Sequence, residues 1–416
     1  MNHKRIFVWI AAGALLLFFA LLFTPVGAQG TVLTPMEQLG KSLFFDQKLS
    51  VNDNQSCATC HAPEAGWTGP DSDVNMTTAV YPGSNPDLFG NRKPPSAAYA
   101  TQSPVLHFVI DKKDALFIGG NFWDGRATGE RLGNPAADQA QGPFLNPLEQ
   151  ALLTPADVVS RVCASSYADL FKQVWGNQIC AAGYEDAAYD AIALSIAAYE
   201  GSPEVNAFSS KFDLTFTGKV KLTKLEQQGY ALFRGKGKCH NCHTGNGQQP
   251  LFTDYTFDNL GVPRNPDNPF YENIAFNPAG YDWVDYGLGE FLQTRADYEL
   301  YAAANMGKQK VPTLRNVGKN ACEADPTKPD CIIKAYGHNG YFKSLAGIVH
   351  FYNTRDLLPV CPGSYTEADA LAANCWPAPE VAMNINVAEL GNLGLTAQEE
   401  AAIVAFLLTL SDGYMP

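Results

Sequence analysis

Cys57-Ala58-Thr59-Cys60-His61 pairs two cysteines, three positions apart, with a histidine directly after the second. This is the pattern at which a c-type haem is attached through both thiols, with the histidine beneath the iron as axial ligand. A single copy could also be a redox-active dithiol or half of a zinc site. A second copy at residues 239–243, Cys-His-Asn-Cys-His, favours haem at both places. The predicted haem-binding residues are therefore Cys57, Cys60, His61, Cys239, Cys242 and His243.

The segment before each cysteine pair is repeated as well. Residues 34–44 and 223–233 both read Thr-x-x-Glu-Gln-x-Gly-x-x-Leu-Phe. The Thr-x-x-Glu part predicts a helix that begins with a capping box. A repeat of this kind indicates an internal duplication. We therefore expect two related, cytochrome-c-like haem domains, at residues 29–215 and 216–416, with their boundary in the polar stretch 203–221.

The remaining pattern predicts a mostly α fold with long irregular loops. Apolar residues recur at helical spacing over 184–199 and 396–410, so each domain is expected to close with a helix. Residues 62–104 and 245–290 are rich in glycine, proline and asparagine and predict loops, which a haem can support by supplying part of the core. No segment shows a convincing strand alternation.

The beginning of the chain resembles a targeting segment. Lys4 and Arg5 precede an apolar run over 6–23, and Val-Gly-Ala at 26–28 is a small-residue cleavage site. We expect a signal peptide over residues 1–28 and a periplasmic or otherwise exported protein, with an uncleaved membrane anchor as the alternative. The cysteines outside the haem motifs fall in three sequence-near pairs, which predicts local disulfides in an oxidising compartment. The pairs are Cys163 with Cys180, Cys322 with Cys331, and Cys361 with Cys375, although other pairings stay open.

The chain is acidic, with a formal net charge of −13 at pH 7. A negative surface argues against nucleic acid or anionic lipid as partners. It is compatible with docking of a basic redox protein, although a solvated acidic surface is the commoner explanation.

Few side chains are available as distal iron ligands. Between His61 and His107 the chain has no histidine and a single methionine, Met76. A haem without a strong sixth ligand can bind a small molecule, whereas a six-coordinate haem only carries electrons. The first haem is therefore expected to be open to a molecule such as peroxide, with Met76 or His107 as alternative sixth ligands.

Further motifs resemble those of the bacterial dihaem cytochrome c peroxidases and their relative MauG, and together they span nearly the whole chain after the leader. They are Phe-Trp-Asp-Gly-Arg at 122–126, Gln-Ala-Gln-Gly-Pro at 139–143, Asn-Pro-Leu-Glu at 146–149, Val-Pro-Thr-Leu-Arg-Asn-Val at 311–317 and His-Asn-Gly at 338–340. The resemblance implies a peroxidase that reduces hydrogen peroxide with electrons from a small redox protein. In a variant of this function, similar to that of MauG, the protein takes the electrons from residues of a protein substrate and so oxidises them. A non-catalytic dihaem electron-transfer cytochrome is the alternative, and a homodimer stays open.

The resemblance also assigns the predicted catalytic residues. Glu149 matches the carboxylate at the peroxide-binding haem, and Gln139 matches its amide companion. Pro143 matches a proline that shapes that pocket, and Trp123 a tryptophan between the haems. A carboxylate can move a proton between the two peroxide oxygens, and a neutral amide can orient peroxide. Without the resemblance, a solvated Glu149 and a core Trp123 would be the simpler interpretations.

Two positions depart from the family pattern. Tyr352 stands where the peroxidases have the methionine ligand of the second haem, and MauG is similar in having tyrosine there; His350 and Met306 are rival ligands. Lys93 stands at the asparagine of the family's calcium site between the haems, so calcium is in doubt and the lysine ammonium could take its place. Three arginines, Arg92, Arg126 and Arg315, are expected to pair with haem propionates. The alternative is that they form ion pairs with carboxylates of the protein.

Overall fold

The computed structural model describes residues 32–111 and 114–415, so the predicted signal peptide lies outside the described residues. Among the residues it does describe, no helix is both long and apolar enough to cross a membrane. The regular structure in these ranges is thirteen α-helices and two small sheets. The prediction of a mostly α fold is confirmed.

The α-helices follow one another along the chain, with short 3-10 turns and long loops between them. They are α1 (Pro35–Phe44), α2 (Cys57–Cys60), α3 (Ser72–Met76), α4 (Pro135–Leu145), α5 (Pro155–Cys163), α6 (Ala168–Trp175), α7 (Glu185–Glu200), α8 (Lys211–Phe216), α9 (Lys224–Arg234), α10 (Gly287–Gln293), α11 (Leu345–Thr354), α12 (Glu367–Ala373) and α13 (Ala397–Leu408). The strands are β1 (His107–Asp111), β2 (Asp114–Ile118), β3 (Phe257–Asp258) and β4 (Gln309–Lys310).

The two repeated helices, α1 and α9, begin as the sequence predicts. At α1 the Glu37 amide donates to the Thr34 hydroxyl at 3.3 Å, and the Thr34 amide donates to the Glu37 carboxylate at 2.6 Å. At α9 Thr223 and Glu226 form the same reciprocal pair. Each capping box satisfies amide groups that a helix start leaves without partners. Both predicted capping boxes are confirmed.

The glycine of the repeat marks a close helix crossing in both halves of the chain. A Cβ at Gly40 in α1 would lie 1.9 Å from the Ser195 carbonyl oxygen in α7. A Cβ at Gly229 in α9 would lie 1.8 Å from the Ala402 carbonyl oxygen in α13. Only glycine lets the backbones approach this closely. The predicted closing helices are thus present and pack on the helices that open each repeat.

Two larger hydrophobic cores follow from these crossings. The first is formed by residues between 39 and 205, and the second by residues between 212 and 410. The stretch predicted as a linker contains α8, whose Asp213 forms a buried ion pair with Arg315. Residues from Leu33 onward pack as one compact unit. The division into two haem domains therefore stays a prediction.

A β-hairpin is the main element that the sequence did not predict. β1 and β2 pair in antiparallel register, with His107 opposite Ile118 and Val109 opposite Leu116. Phe117 on this hairpin packs against Tyr298, with 5.3 Å between the ring centroids. The absence of strands was thus a wrong expectation for this segment.

The three disulfides join the sequence-near cysteines as predicted. They are Cys163–Cys180, Cys322–Cys331 and Cys361–Cys375. The cysteines left as thiols are those of the two haem motifs.

Candidate active site

Each haem motif borders a cavity of its own. The first cavity, with about 1150 Å³ of empty space, is lined by Cys57, Cys60 and His61. The second, with about 1760 Å³, is lined by Cys239, Cys242 and His243. Two thiols and an imidazole at one wall of a large, mostly apolar cavity suit covalent attachment of haem.

The histidines are oriented as axial ligands require. The Nδ1 atom of His61 lies 3.3 Å from the Trp67 carbonyl oxygen, and that of His243 lies 2.9 Å from the Phe252 carbonyl oxygen. Because a carbonyl oxygen only accepts, Nδ1 carries the proton and the Nε2 lone pair remains free for a metal. Burial lowers the pKa of His61 to about 4 and also lowers the pKa of His243. Both rings are therefore held in the neutral form that ligates iron.

The cysteines do not resemble a redox-active dithiol. Burial raises the pKa of Cys60 and the pKa of Cys239 to about 12. Reactive dithiols have a lowered thiol pKa. The local electrostatics thus favour haem attachment over dithiol chemistry.

The first cavity also brings together the predicted catalytic residues. Gln139, Pro143 and Glu149 line the same cavity as His61. Gln139 and Pro143 are four positions apart on α4, so both face one side of the helix. Pro143 cannot donate to the Gln139 carbonyl, and α4 ends two residues later, after which the chain turns toward Glu149.

Glu149 is held by its neighbour and is half-buried at the cavity wall. The Asn146 side-chain amide donates to the Glu149 carboxylate at 2.9 Å. Burial raises the pKa of Glu149, although this hydrogen bond opposes the shift. A carboxyl group with a raised pKa both accepts and returns a proton more readily near neutral pH.

No second histidine and no methionine line the first cavity among the described residues. His107 lies in the hairpin with an exposed side chain, where Nδ1 is 2.8 Å from the Val105 carbonyl oxygen. Met76 is 50% exposed. The structure thus leaves both alternative sixth ligands outside the cavity.

Of the three candidate ligands for the second haem, one lines the second cavity and two do not. Tyr352 on α11 lines the cavity, whereas His350 and Met306 do not. The His350 ring faces Glu400, with Nδ1 3.1 Å from a carboxylate oxygen. Burial, together with the thiols of the haem motif, raises the pKa of Tyr352. Of the three candidates, only Tyr352 shares a cavity with His243.

Comparison with known proteins gives the family. A family model described as di-haem cytochrome c peroxidase matches residues 34–221. Over 380 residues the chain is 33% identical to the methylamine utilization protein MauG of Paracoccus denitrificans, covering 90% of this chain and 88% of the relative. The chain belongs to the dihaem cytochrome c peroxidase family. It is therefore a peroxidase, and membership implies two c-type haems.

Other similar proteins support the same family. The chain is 30% identical to cytochrome c551 peroxidase of Pseudomonas aeruginosa over 311 residues, which cover 72% of each chain. Its fold is similar to the crystal structure of the diheme peroxidase BthA from Burkholderia thailandensis, with a TM-score of 0.72 and 26% identity over 92% of this chain and 87% of that one.

Trp123 lies in the wall between the two cavities of this dihaem peroxidase, and its side chain borders both. Its indole N–H donates to the Lys93 carbonyl oxygen at 2.8 Å. The His338 ring lies on the second-cavity side, with 6.5 Å between the ring centroids. An indole in this position is part of both haem environments.

The three arginines that were expected to pair with haem propionates form ion pairs with carboxylates of the protein. Arg92 pairs with Asp124 and Asp285, and Arg126 pairs with Asp124 at 2.7 Å. Arg315 lines the second cavity but pairs with Asp213 and, at 3.4 Å, with Asp412. Structural ion pairs, which the sequence left as the alternative, are what the structure shows.

Three lysines, of which the sequence analysis identified only Lys93, place cations at the second cavity. They line the second cavity and, in the described part of the chain, form no ion pair with a carboxylate: Lys93, Lys310 and Lys334. Lys93 donates to the Thr68 hydroxyl and the Pro94 carbonyl oxygen, each at 2.9 Å. Burial lowers the pKa of Lys93 to about 8 and those of the other two to about 7. Each ammonium already donates to an oxygen of the protein, but without a carboxylate partner these lysines, rather than the arginines, are the candidate partners of anionic propionates.

Proposed function

We propose that the protein reduces hydrogen peroxide in the cavity of His61 and takes electrons from a protein partner through the cavity of His243. The observation that carries the proposal is the presence of Glu149 and Gln139 in the cavity of His61, which no other histidine and no methionine lines among the described residues. A purely electron-carrying haem has no need of a polar, ligand-free far side.

The chain's own residues supply proton transfer and orientation. When bound, the haem at His61 would supply an iron to which peroxide can bind and would pass on the two electrons that reduce it, which the partner protein then replaces. Glu149 accepts a proton from the inner peroxide oxygen and returns it to the outer oxygen, which leaves as water. Gln139 donates a hydrogen bond that holds peroxide in line without competing for the proton. Pro143 ends α4 so that both groups face the cavity.

The test is the substitution Glu149→Gln, which keeps the size of the side chain and removes its basicity. The expected result is a loss of kcat of about 10²–10⁴-fold, the usual contribution of a general acid–base group, with unchanged haem content. The matched control is Glu200→Gln, because Glu200 lines the same cavity beside Cys57 but has no role in the proposed proton transfer. Equal losses in both variants, or none in either, would contradict the role of Glu149.

We further propose that Tyr352 is the second ligand of the haem at His243, which favours a MauG-like cycle. A phenolate oxygen stabilises high oxidation states, whereas a thioether raises the potential. Under this hypothesis the fully ferric protein reacts with peroxide directly and stays oxidised until a protein substrate gives up electrons. If half-reduction is needed first, the conventional cycle, with a small redox protein as donor, is the correct one.

A non-catalytic electron-transfer cytochrome is the rival function. It requires both irons to be six-coordinate, so the ferric protein would show no high-spin haem and no response to peroxide. We expect a high-spin signal from the His61 haem, because no second histidine and no methionine among the described residues lines that cavity.

A further inference from the structure

A group of aromatic rings leads from the protein surface to the buried Tyr271. Tyr281 is 60% exposed, and its ring centroid lies 5.6 Å from that of the buried Tyr271. Trp283 lies 6.2 Å from Tyr271, and Phe270 lies 5.0 Å from Trp283. Nothing in the proposed peroxide chemistry uses these residues. Tyrosine and tryptophan are nevertheless the side chains that can be oxidised by one electron.

Polar contacts continue the path from Tyr271 inward. The Arg264 guanidinium lies 5.1 Å from the Tyr271 ring centroid, and its Nε lies 3.9 Å from a Glu380 oxygen. Glu380 lines the second cavity, and its other oxygen lies 3.8 Å from Nε2 of His338. His338 in turn faces Trp123. Each neighbour in this series is in short contact with the next, so no long gap separates Tyr271 from the cavity wall.

The outer tyrosine also has a proton acceptor. Its phenol donates to the Glu272 carboxylate at 2.9 Å. A phenol that loses an electron becomes strongly acidic, so oxidation of Tyr281 requires a place for its proton. Glu272 is exposed and can hold that proton and return it.

The surface around Tyr281 has a definite character. Two apolar side chains of the same stretch are exposed as well, Ile274 by 59% and Phe276 by 41%. Between Arg264 and Arg295 the sequence has no lysine and no arginine. The exposed charges of this stretch are all acidic: Asp267, Glu272, Asp282 and Glu290. A stretch whose exposed side chains are apolar and acidic complements a partner whose contact surface is basic.

We propose that Tyr281 and Tyr271 form an electron-uptake site at which a basic electron-donor protein docks. The proposal rests on the proposed peroxidase function, which supplies peroxide as the oxidant. In each step an electron passes inward from Tyr281 through Tyr271 while the phenolic proton moves to Glu272. The donor protein then gives one electron to Tyr281, and Glu272 returns the proton. Two such cycles and two protons from water convert one peroxide into two waters.

The test compares Tyr281→Phe with Tyr286→Phe in the haem-loaded protein. Phenylalanine keeps the apolar surface but cannot lose a proton. Tyr286 is a matched control, because it is 37% exposed in the same stretch and has no aromatic ring pair and no carboxylate hydrogen bond among the residues that the structure describes. The probe is reduced mitochondrial cytochrome c, a basic protein. The measurements are its oxidation rate with peroxide and the tyrosyl radical signal by electron paramagnetic resonance without a donor.

We expect Tyr281→Phe to lose the radical signal and to oxidise the cytochrome several-fold more slowly, with Tyr286→Phe unchanged. Glu272→Gln should also slow cytochrome oxidation, because it keeps the phenol and removes the proton acceptor. Raised salt should weaken the docking in the unchanged protein. If peroxide changes the haem spectrum normally but both tyrosine variants behave alike, the uptake site is refuted and the proposed peroxidase function is not affected. If peroxide does not react with the unchanged protein, the proposed function fails and the uptake site fails with it.

Discussion

The substitution Gly229→Ala tests the helix crossing on which the second haem motif depends. The new Cβ would lie 1.8 Å from the Ala402 carbonyl oxygen and 2.9 Å from Cβ of Phe406. Ordinary van der Waals contact begins at 3.4 Å, so α9 would have to move about 1.6 Å away from α13. The obstacle is backbone inside a helix, which cannot rotate aside as a long side chain can.

The size of the effect follows from two opposing contributions. Overpacking in a well-packed core typically costs about 1–3 kcal/mol, and a clash with backbone belongs near the upper end. Alanine in a helix interior is more favourable than glycine by about 1 kcal/mol. We therefore expect a net loss of about 2 kcal/mol in the free energy of unfolding. The same estimate applies to Gly40→Ala, where Ser195 presents the carbonyl oxygen at 1.9 Å.

The assay is equilibrium denaturation of the haem-loaded protein in guanidinium chloride. Gly142→Ala is the matched control, because Gly142 is a helical glycine whose Cβ would meet only the Phe122 ring, at 3.4 and 3.8 Å. That variant should be neutral or more stable by up to about 1 kcal/mol. If Gly229→Ala were as stable as Gly142→Ala, the close crossing of α9 and α13 would be refuted.

The same pair of variants tests the proposed division into two haem domains. α1 leads into the Cys57 motif and α9 into the Cys239 motif. Gly40→Ala should therefore change the absorption of the first haem alone, and Gly229→Ala that of the second. Equal changes in both haems for either variant would contradict two separate domains.

Two further predictions concern the surroundings of the second haem. Tyr352→Met should raise its reduction potential by on the order of 0.1 V or more, within the span of about 0.8 V that axial ligands set. His350→Gln is the control in spectroelectrochemistry, because His350 faces Glu400 outside the cavity; an equal shift in both variants would exclude Tyr352 as ligand. Lys93→Asn should create calcium uptake, measured by calorimetric titration, because it removes the buried ammonium and restores a carbonyl oxygen ligand. Calcium uptake by the unchanged protein would contradict the substitution of the ion by Lys93.

What the sequence predicts well is local. The capping boxes at Thr34 and Thr223 are decided within four residues, and the structure forms both. The disulfides link cysteines that are close in the chain, so nearness along the sequence was a sufficient guide. The hairpin was missed because residues 111–114, Asp-Lys-Lys-Asp, have none of the Asn-Gly or Asp-Gly pairs that mark tight hairpin turns.

What the sequence predicts poorly is set by distant partners. Arg92 meets Asp285, which is 193 positions away, and Arg315 meets Asp213 across 102 positions. No local pattern shows that these arginines are already paired. The shared cavity of Gln139, Glu149 and His61 was likewise expected from the family resemblance and not from spacing alone.

The positive charge of three lysines at the second cavity relates haem attachment to the stability of the fold. Lys93, Lys310 and Lys334 come from distant parts of the sequence, and burial lowers the pKa of each because no described carboxylate pairs with it. A buried ammonium without a counter-ion is unfavourable, and an anion beside it restores its ordinary pKa. Haem carries anionic propionates, so attachment of haem and charging of these lysines should stabilise each other.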